Sequence, residues 1–541
     1  MSSSSTGKFS FSTSRTRIVG SIVGAGILLY RASGRLIFGR SAGRGKREGW
    51  ILLARGPVAA VLCPLLLLET GCLMGPNYKR PDVNVPATYR APSATDQPAS
   101  LADLPWWQLF NDDTLTALIK TALNNNYNLA AAVARVEQAR AVGAQARSQY
   151  FPMLSYTTYA SYGHNQFIYS PVTVPTGAQG FLLAIGRASW EADLWGRIRR
   201  TNEAAQAQYL ASEEARRGVM LTLAGEVSQA YFELLGLRQQ LAIATEARES
   251  FTSTLDLVTR RQKEGIGNEL QVSRAATDLA NAAGTIPELE RQIALKENQI
   301  SVLVGKNPGP VETKAGFPGQ VPLDVPAGLP SALLERRPDV LAAEQAMRSA
   351  NAQIGVVQTS YFPTLGLTTF FGKLSTPLEN FSLGRTNAWS LAGSAAGPIF
   401  TFGAISAQKH QSIAAWEQTR AQYMQTTLSA FRDVSDALIS REKIDAIHAE
   451  QVRALQANEN AVRLTTMRQT NGRASGLDVL EAKQRLFLAQ QGFNQTEISR
   501  RLVIIQLYKA LGGGWNLTDA QWVAANTAAG APTQPAPAPK P

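Results

Sequence analysis

Apolar and polar positions along this chain follow two different periods, and the switches between them predict its elements. In "MLSYTTYASYG", residues 153–163, Leu154, Tyr156, Thr158, Ala160 and Tyr162 share one face and smaller polar residues take most of the other. That period of two predicts a strand. A loop containing Pro171 and Pro175 separates it from a second strand candidate at 181–193, and the same pattern returns at 364–374 and 388–400. Each run is about ten residues, the length of a tilted membrane-crossing strand. No proline lies between Pro175 and Pro287, nor between Pro398 and Pro532. Thr201 to Lys263 as one helix would extend roughly 95 Å at about 1.5 Å per residue. Its apolar residues Leu223, Val227, Ala230, Leu234, Leu237 and Leu241 recur at alternating steps of four and three, a narrow coiled-coil seam. The other faces carry Gln, Arg, Glu, Ala and Ser, which suits a helix wetted over much of its surface.

The pattern occurs twice. "LAAAVARVEQARAVGAQARSQYFPML" (129–154) aligns with "VLAAEQAMRSANAQIGVVQTSYFPTL" (340–365), "GIGNELQV" at Gly265 with "GRASGLDV" at Gly472, and "VLVGK" at Val302 with "KALGG" at Lys509. Each half reads as helix, strand, loop, strand, very long helix, turn, helix. The expected divisions are 72–105 for an N-terminal segment, 106–310 for the first repeat, 311–330 for a linker, 331–515 for the second repeat and 516–541 for a Pro/Ala-rich tail.

In lipid a sheet must close so that no edge is left unpaired. One chain offers four strands, fewer than the roughly eight of the smallest membrane barrels. The pattern therefore predicts an α+β membrane protein in which three copies share a twelve-stranded antiparallel barrel, and their long helices continue the tube as an α-barrel.

Composition alters this picture mainly at the N-terminus. Apolar residues make up 45% of the 541, which excludes wholesale disorder. No run reaches the roughly 20 apolar residues of a membrane-spanning helix. The net charge of +12 suggests nucleic acid at first, but residues 1–71 hold ten basic side chains against Glu48 and Glu69, leaving +4 for the rest and no basic stripe interleaved with aromatics. The apolar run Val58 to Leu68 behind Lys46, Arg47 and Arg55 reads as a signal-peptide core, and residues 1–71 are expected to be removed. Gly71 then precedes Cys72 as in a bacterial lipoprotein cleavage site, although Glu69 stands where an aliphatic residue is usual. An N-acyl, S-diacylglycerol lipid on Cys72 is the expected modification, with no other cofactor. Leu73 rather than Asp after it resembles lipoproteins sent on to the outer membrane. Cleavage before Cys72 would also discard Cys63 and leave no internal disulfide possible.

The stretches "LPWWQLFNDDTLTALIKTALNNNYNL", "EADLWGRIRR", "LLERRPDVLAAEQAMRSANAQIG", "YFPTLGL" and "GPIFTFG" together resemble the outer-membrane factor family of tripartite efflux systems, the TolC-like channel-tunnels, and within it the NodT-type lipoproteins. The resemblance runs from about Cys72 to Gly514. It implies a homotrimer in outer-membrane lipid with a large periplasmic portion, docked to a periplasmic adaptor and an inner-membrane RND pump. It also implies a duct that passively conducts drugs or other toxic small molecules. In the family, acids matching Asp478 and Glu481 line the constricted periplasmic entrance; the repeat makes Gln271 and Arg274 their counterparts, and Arg274 beside Glu481 offers an interhelical or intersubunit bond that holds the entrance shut. Gly265, Ile266, Gly267, Gly472, Arg473 and Ala474 form the helix-to-helix turns, where the family docks its adaptor. Trp195, Gly196 and Arg197, and Phe402 with Gly403, read as structural strand-to-helix transitions.

Catalysis has little foothold, so no enzyme is expected. His164, His410 and His448 show no metal-ligand spacing, "VLVGKNP" lacks the upstream glycine and hydroxyl of a phosphate loop, and Ser475 in "GRASG" is misplaced for a nucleophile elbow. Two rival readings are the outer-membrane outlet of a type I protein secretion system and a periplasmic coiled-coil scaffold or adhesin without a pore.

Overall fold

The structure, a computed structural model, describes residues 72–86, 88–90, 101–106, 109–163, 179–313, 316–317, 330–375, 387–514 and 521. The expected extension and signal peptide, both loops between paired strands, most of the 311–330 linker and nearly all of the tail lie outside these residues.

Two helices lead in. α1 (Asp113–Asn125) starts at Asp112, whose carboxylate accepts from the Thr114 and Leu115 N–H groups. α2 (Tyr127–Ser148) starts at Asn126, which accepts from Asn128 and Leu129 and donates to the Leu303 carbonyl. Both caps satisfy N–H groups that a helix start leaves unpaired. Strands β1 (Met153–Gly163) and β2 (Gln179–Ala192) follow, then the 67-residue α3 (Arg197–Lys263) and the 35-residue α4 (Glu269–Leu303). The second half brings the four-residue α5 (Leu333–Arg336), α6 (Pro338–Thr359), β3 (Thr364–Ser375), β4 (Asn387–Ala396), the 67-residue α7 (Ala404–Thr470) and the 35-residue α8 (Gly476–Ala510). The matching helices of the two halves have identical lengths.

Two differences from the sequence expectation have local causes. The first long helix begins at Arg197, not Thr201, because Asp193, expected to end a strand, turns its carboxylate to the Ile198 and Arg199 N–H groups (3.0 and 2.9 Å) and caps the helix instead. β4 stops at Ala396 rather than at 400, just before Gly397 and Pro398; a proline has no N–H for the ladder. Helix α4 runs through Pro287.

All four strands form one antiparallel sheet in the order β1-β2-β3-β4, so that β1 and β4 are free edges. Among the helices, α3 is central: it packs against α1, α2, α4, α6 and α8. Its Leu223, Val227, Ala230 and Leu234 are buried as the seam requires, whereas Leu237 and Leu241 are only partly covered, since the buried stripe moves on to Ile243, Ala244 and Ala247. Tyr231 and Phe232 are fully buried; the Tyr231 hydroxyl donates to Asp112 (2.7 Å) and Phe232 meets Phe110 edge to face. Burial of each such side chain is worth about 1.5–3 kcal/mol. Arg337 of the "ERRPD" stretch, also buried, donates to Asp339, Asp433 and the Ala510 carbonyl, which ties α6 to α7 and α8.

Candidate functional site

The ladder registers sort the sheet into two faces. One cross-strand row runs Leu154, Ala188, Thr369, Leu391 and the next Tyr156, Gly186, Phe371, Trp389. That face also carries Trp190 and Leu367, with Lys373 and Asn387 only at the hairpin end. On the opposite face a row runs Ser155, Arg187, Phe370, Ser390 and another Met153, Ser189, Thr368, Ala392. Toward the hairpin end that face also carries Leu183, Ile185 and Leu374; nearer the helices, an apolar face against a Ser/Thr-rich one is the pattern of a wall with lipid on one side and water on the other. Tyr156 and Leu391, on the free edges, are 83% and 73% exposed. Arg187 stands exposed at mid-strand on the opposite face and makes no ion pair among the described residues.

Cys72 is exposed and lies at the foot of this sheet. The chain after it is strapped down: the Met74 N–H donates to the Trp195 carbonyl, and Arg200, 1% exposed, donates to the Met74 and Gly75 carbonyls, to Asn77 and to Glu203. Gly75 has φ +88°, and a Cβ there would stand 2.4 Å from the Gly355 Cα, so the strap needs glycine to lie this close to α6. Further along, Tyr78 and Arg80 both reach Glu344. The sequence marked Cys72 but not Arg200, whose partners on the strap, Met74, Gly75 and Asn77, are more than 120 residues away.

At the far end the long helices reverse. Gly265 and Gly472 take φ +74° and +69°, and in each turn a 6→1 bond closes the helix, from Ile266 to the Arg261 carbonyl and from Arg473 to the Arg468 carbonyl. Ile266 is exposed at its tip. The next helices start on matching caps: Asn268 accepts from the Gln271 N–H, and Ser475 from the Asp478 N–H. Asp478 also accepts from the Ser475 N–H, so its carboxylate is engaged in a capping box that the sequence did not reveal. Gln271 is half-buried, whereas Arg274, Asp478 and Glu481 are exposed. Arg274 and Glu481 form no ion pair with each other within the chain. Three residues further along the two helices are joined, by Gln484 to Asp278 (3.3 Å). Burial pushes the Asp278 carboxyl up and the Lys483 ammonium, which donates to Thr254, down.

No helix among the described residues is long and apolar enough to cross a membrane, and no group of three or more His, Cys, Asp or Glu among them could hold a metal. Among the described residues, the sheet is the element with a face suited to lipid.

The sequence model for "Outer membrane efflux protein" matches residues 118–306 and 329–513. The chain belongs to this family. Among its relatives is the toluene efflux pump outer membrane protein TtgC of Pseudomonas putida, 32% identical over 455 residues, covering 82% of this chain and 93% of that protein. Another is the probable outer membrane lipoprotein SilC of Salmonella typhimurium, 30% identical, covering 83% and 97%. Among solved structures, the outer-membrane channel OprN matches with a TM-score of 0.76 at 28% identity, covering 82% of this chain and all of that one. The family has the TolC-like channel fold, and its members here are channel proteins rather than enzymes. Outer-membrane residence with a large helical periplasmic part follows from that membership.

Proposed function

We propose that the chain is the outer-membrane duct of a tripartite efflux system, in which three copies close a twelve-stranded barrel and pass small molecules outward without chemistry of their own. The observation that carries this reading is the sheet: two free edges beside an apolar face in a chain of the efflux channel family. A closed barrel is the arrangement in which those edges are paired in lipid. The purified mature protein is expected to run as a trimer in detergent and to conduct ions across a planar bilayer. A monomer with no conductance would overturn the reading and favour a pore-free scaffold.

The anchor and entrance belong to the same proposal. An N-acyl, S-diacylglycerol on Cys72 is supported by its exposure and by the strap that holds it beside the foot of the sheet, where acyl chains reach the inner leaflet; mass spectrometry of the mature N-terminus tests it. Asp478 and Glu481 with Gln271 and Arg274 make the periplasmic gate. Because Arg274 and Glu481 do not pair within one chain, their bond runs between subunits. Gly265, Ile266 and Gly267, with Gly472, Arg473 and Ala474, form the tips that dock a periplasmic adaptor, and an RND pump drives transport. Sensitivity of a deletion strain to drugs, against loss of a secreted protein, separates efflux from type I secretion.

A further inference from the structure

Neither lipid nor a packed core calls for apolar side chains on the water side of a β wall, yet one patch of that side is apolar. Arg187 decides which side is water. It stands at mid-strand of β2, exposed and without an ion pair among the described residues, and an unpaired guanidinium at that depth is costly on a lipid face. The face that carries it therefore lines the pore. One other charged side chain shares that face among the described residues, Glu191, and both of its carboxylate oxygens accept from Arg197 at 2.8 Å. Arg187 is thus the uncompensated charge of the inner wall.

Apolar groups adjoin it on the hairpin side. The ladder sets Phe370 directly opposite Arg187, and residues so paired hold their Cβ atoms about 5 Å apart. Ile185 and Leu183 follow along β2 on the same face, about 7 and 14 Å further toward the hairpin end at roughly 3.4 Å per residue. Opposite Ile185 stands Gly372, and a Cβ there would lie 2.7 Å from the Ile185 Cγ2. The glycine thereby lets Ile185 lean across onto β3, two residues from Phe370 on the same face. The other repeat does not reproduce this patch: at the places matching Arg187, Ile185 and Leu183, β4 presents Ser394, Ala392 and Ser390. Cation and apolar surface are confined to the β2–β3 half of each chain's wall.

We propose that Arg187, Phe370 and Ile185 form a transit site for amphipathic monoanions, small aromatic carboxylates or sulfonates, on the inner wall of the duct. The guanidinium fork takes the anionic head in two parallel hydrogen bonds, and the aromatic body lies along Phe370 and Ile185 toward the hairpin end. Ser155, across the ladder on the β1 side, brings no competing charge. Three copies present three such sites at one level, separated by Ser- and Ala-lined wall. Binding at each is weak, as passage requires. A simple anion gains only the charge, and an aromatic cation meets the apolar patch against the repulsion of Arg187.

The site rests on the duct proposed above, and blocking the channel current separates the two. The purified mature protein is held in a planar bilayer in potassium chloride, and naphthalene-2-sulfonate is added on the side of the hairpin ends. A saturable fall in current at millimolar concentration is expected, with methanesulfonate and 1-naphthylmethylammonium each at least about tenfold weaker. Arg187→Gln should weaken the naphthalene-2-sulfonate block about tenfold and Phe370→Ser about threefold. Arg187→Lys, which keeps the charge but not the fork, should fall between Arg187→Gln and the parent. Equal block by methanesulfonate, equal block by the ammonium probe, or parent-like block in Arg187→Gln or Phe370→Ser would overturn the site while leaving a conducting duct. A parent protein without conductance would overturn both. The three probes compared on the parent channel decide the matter even where a variant fails to insert.

Discussion

The two repeats place their backbones alike and their charges unlike. Helices α3 and α7, α4 and α8, and α2 and α6 agree in length to the residue, and both tips reverse through a left-handed glycine followed by a side-chain cap. At the matching places beyond the caps, however, the first repeat presents Gln271 and Arg274 and the second Asp478 and Glu481. The corners diverge as well: Arg200, buried on the strap, has the exposed Ala407 as its counterpart, and Arg187 on the polar face has Ser394. Helix lengths and turn glycines are thus kept in both halves, while side chains at the strap, on the sheet and beyond the caps have separated. Three copies would alternate the two halves around the axis, six similar helical tips bearing charges of alternating sign.

The strap should break that comparison most severely. Arg200→Met leaves the Met74 and Gly75 carbonyls without their buried donor and is expected to destabilise the chain by about 3–5 kcal/mol, read as a lower denaturation midpoint. Ala407→Arg at the matching exposed position should shift that midpoint by no more than about 0.5 kcal/mol. Charge comes next. Arg187→Glu should turn ion preference in a planar bilayer toward cations several-fold, and Ser394→Glu in the other repeat should act in the same direction more weakly, because it removes no positive charge. At the entrance, Glu481→Ala and Arg274→Ala should each raise conductance, and the exchange Glu481→Arg with Arg274→Glu should bring it back toward the parent value; equal conductance in all three would dissolve the proposed bond. Loss of either cap, Asn268→Ala or Ser475→Ala, should cost about 1 kcal/mol locally, seen as faster amide exchange in the following turn. The smallest effect is at Asp278. Its carboxyl titrates above the ordinary 3.8 because burial penalises the ionised form, so the folded tip is weakened at neutral pH and relieved as pH falls. Asp278→Asn should stabilise the tip by a few tenths of a kcal/mol at pH 7, with the gain vanishing on acidification toward 3.8.

Much of the fold could be read from the residues because its two environments differ so sharply. A strand wetted on one side and lipid-covered on the other must alternate, so Leu154, Tyr156 and Tyr162 announce β1 by spacing alone, and the free helix reversals announce themselves through Gly265 and Gly472. What stayed hidden depends on partners far away in sequence or on competition between elements. Asp193 looked like the end of a strand because a carboxylate's preference for the α3 N-terminus leaves no period. Nothing in the spacing around Arg200 and Arg337 marks them as buried, because the carbonyls of Met74, Gly75 and Ala510 that they serve lie far away in sequence. At the entrance, the sequence singled out Asp478 and Glu481 together, yet only Glu481 has a carboxylate free of the helix cap.

The β2–β3 pairing, a seam that joins the two repeats within one chain, also bears on how such a tube assembles. Two half-length chains joined end to end by duplication carry one of their contacts as a covalent fact, so a ring of six half-units built from three molecules needs two bimolecular associations rather than five, the last joint closing within the assembly. Each bimolecular association sacrifices translational and rotational freedom on the order of 4–15 kcal/mol, and the fused seam avoids that loss at every second joint. It also restricts any such ring to an even number of half-units, since neither half can be present without the other.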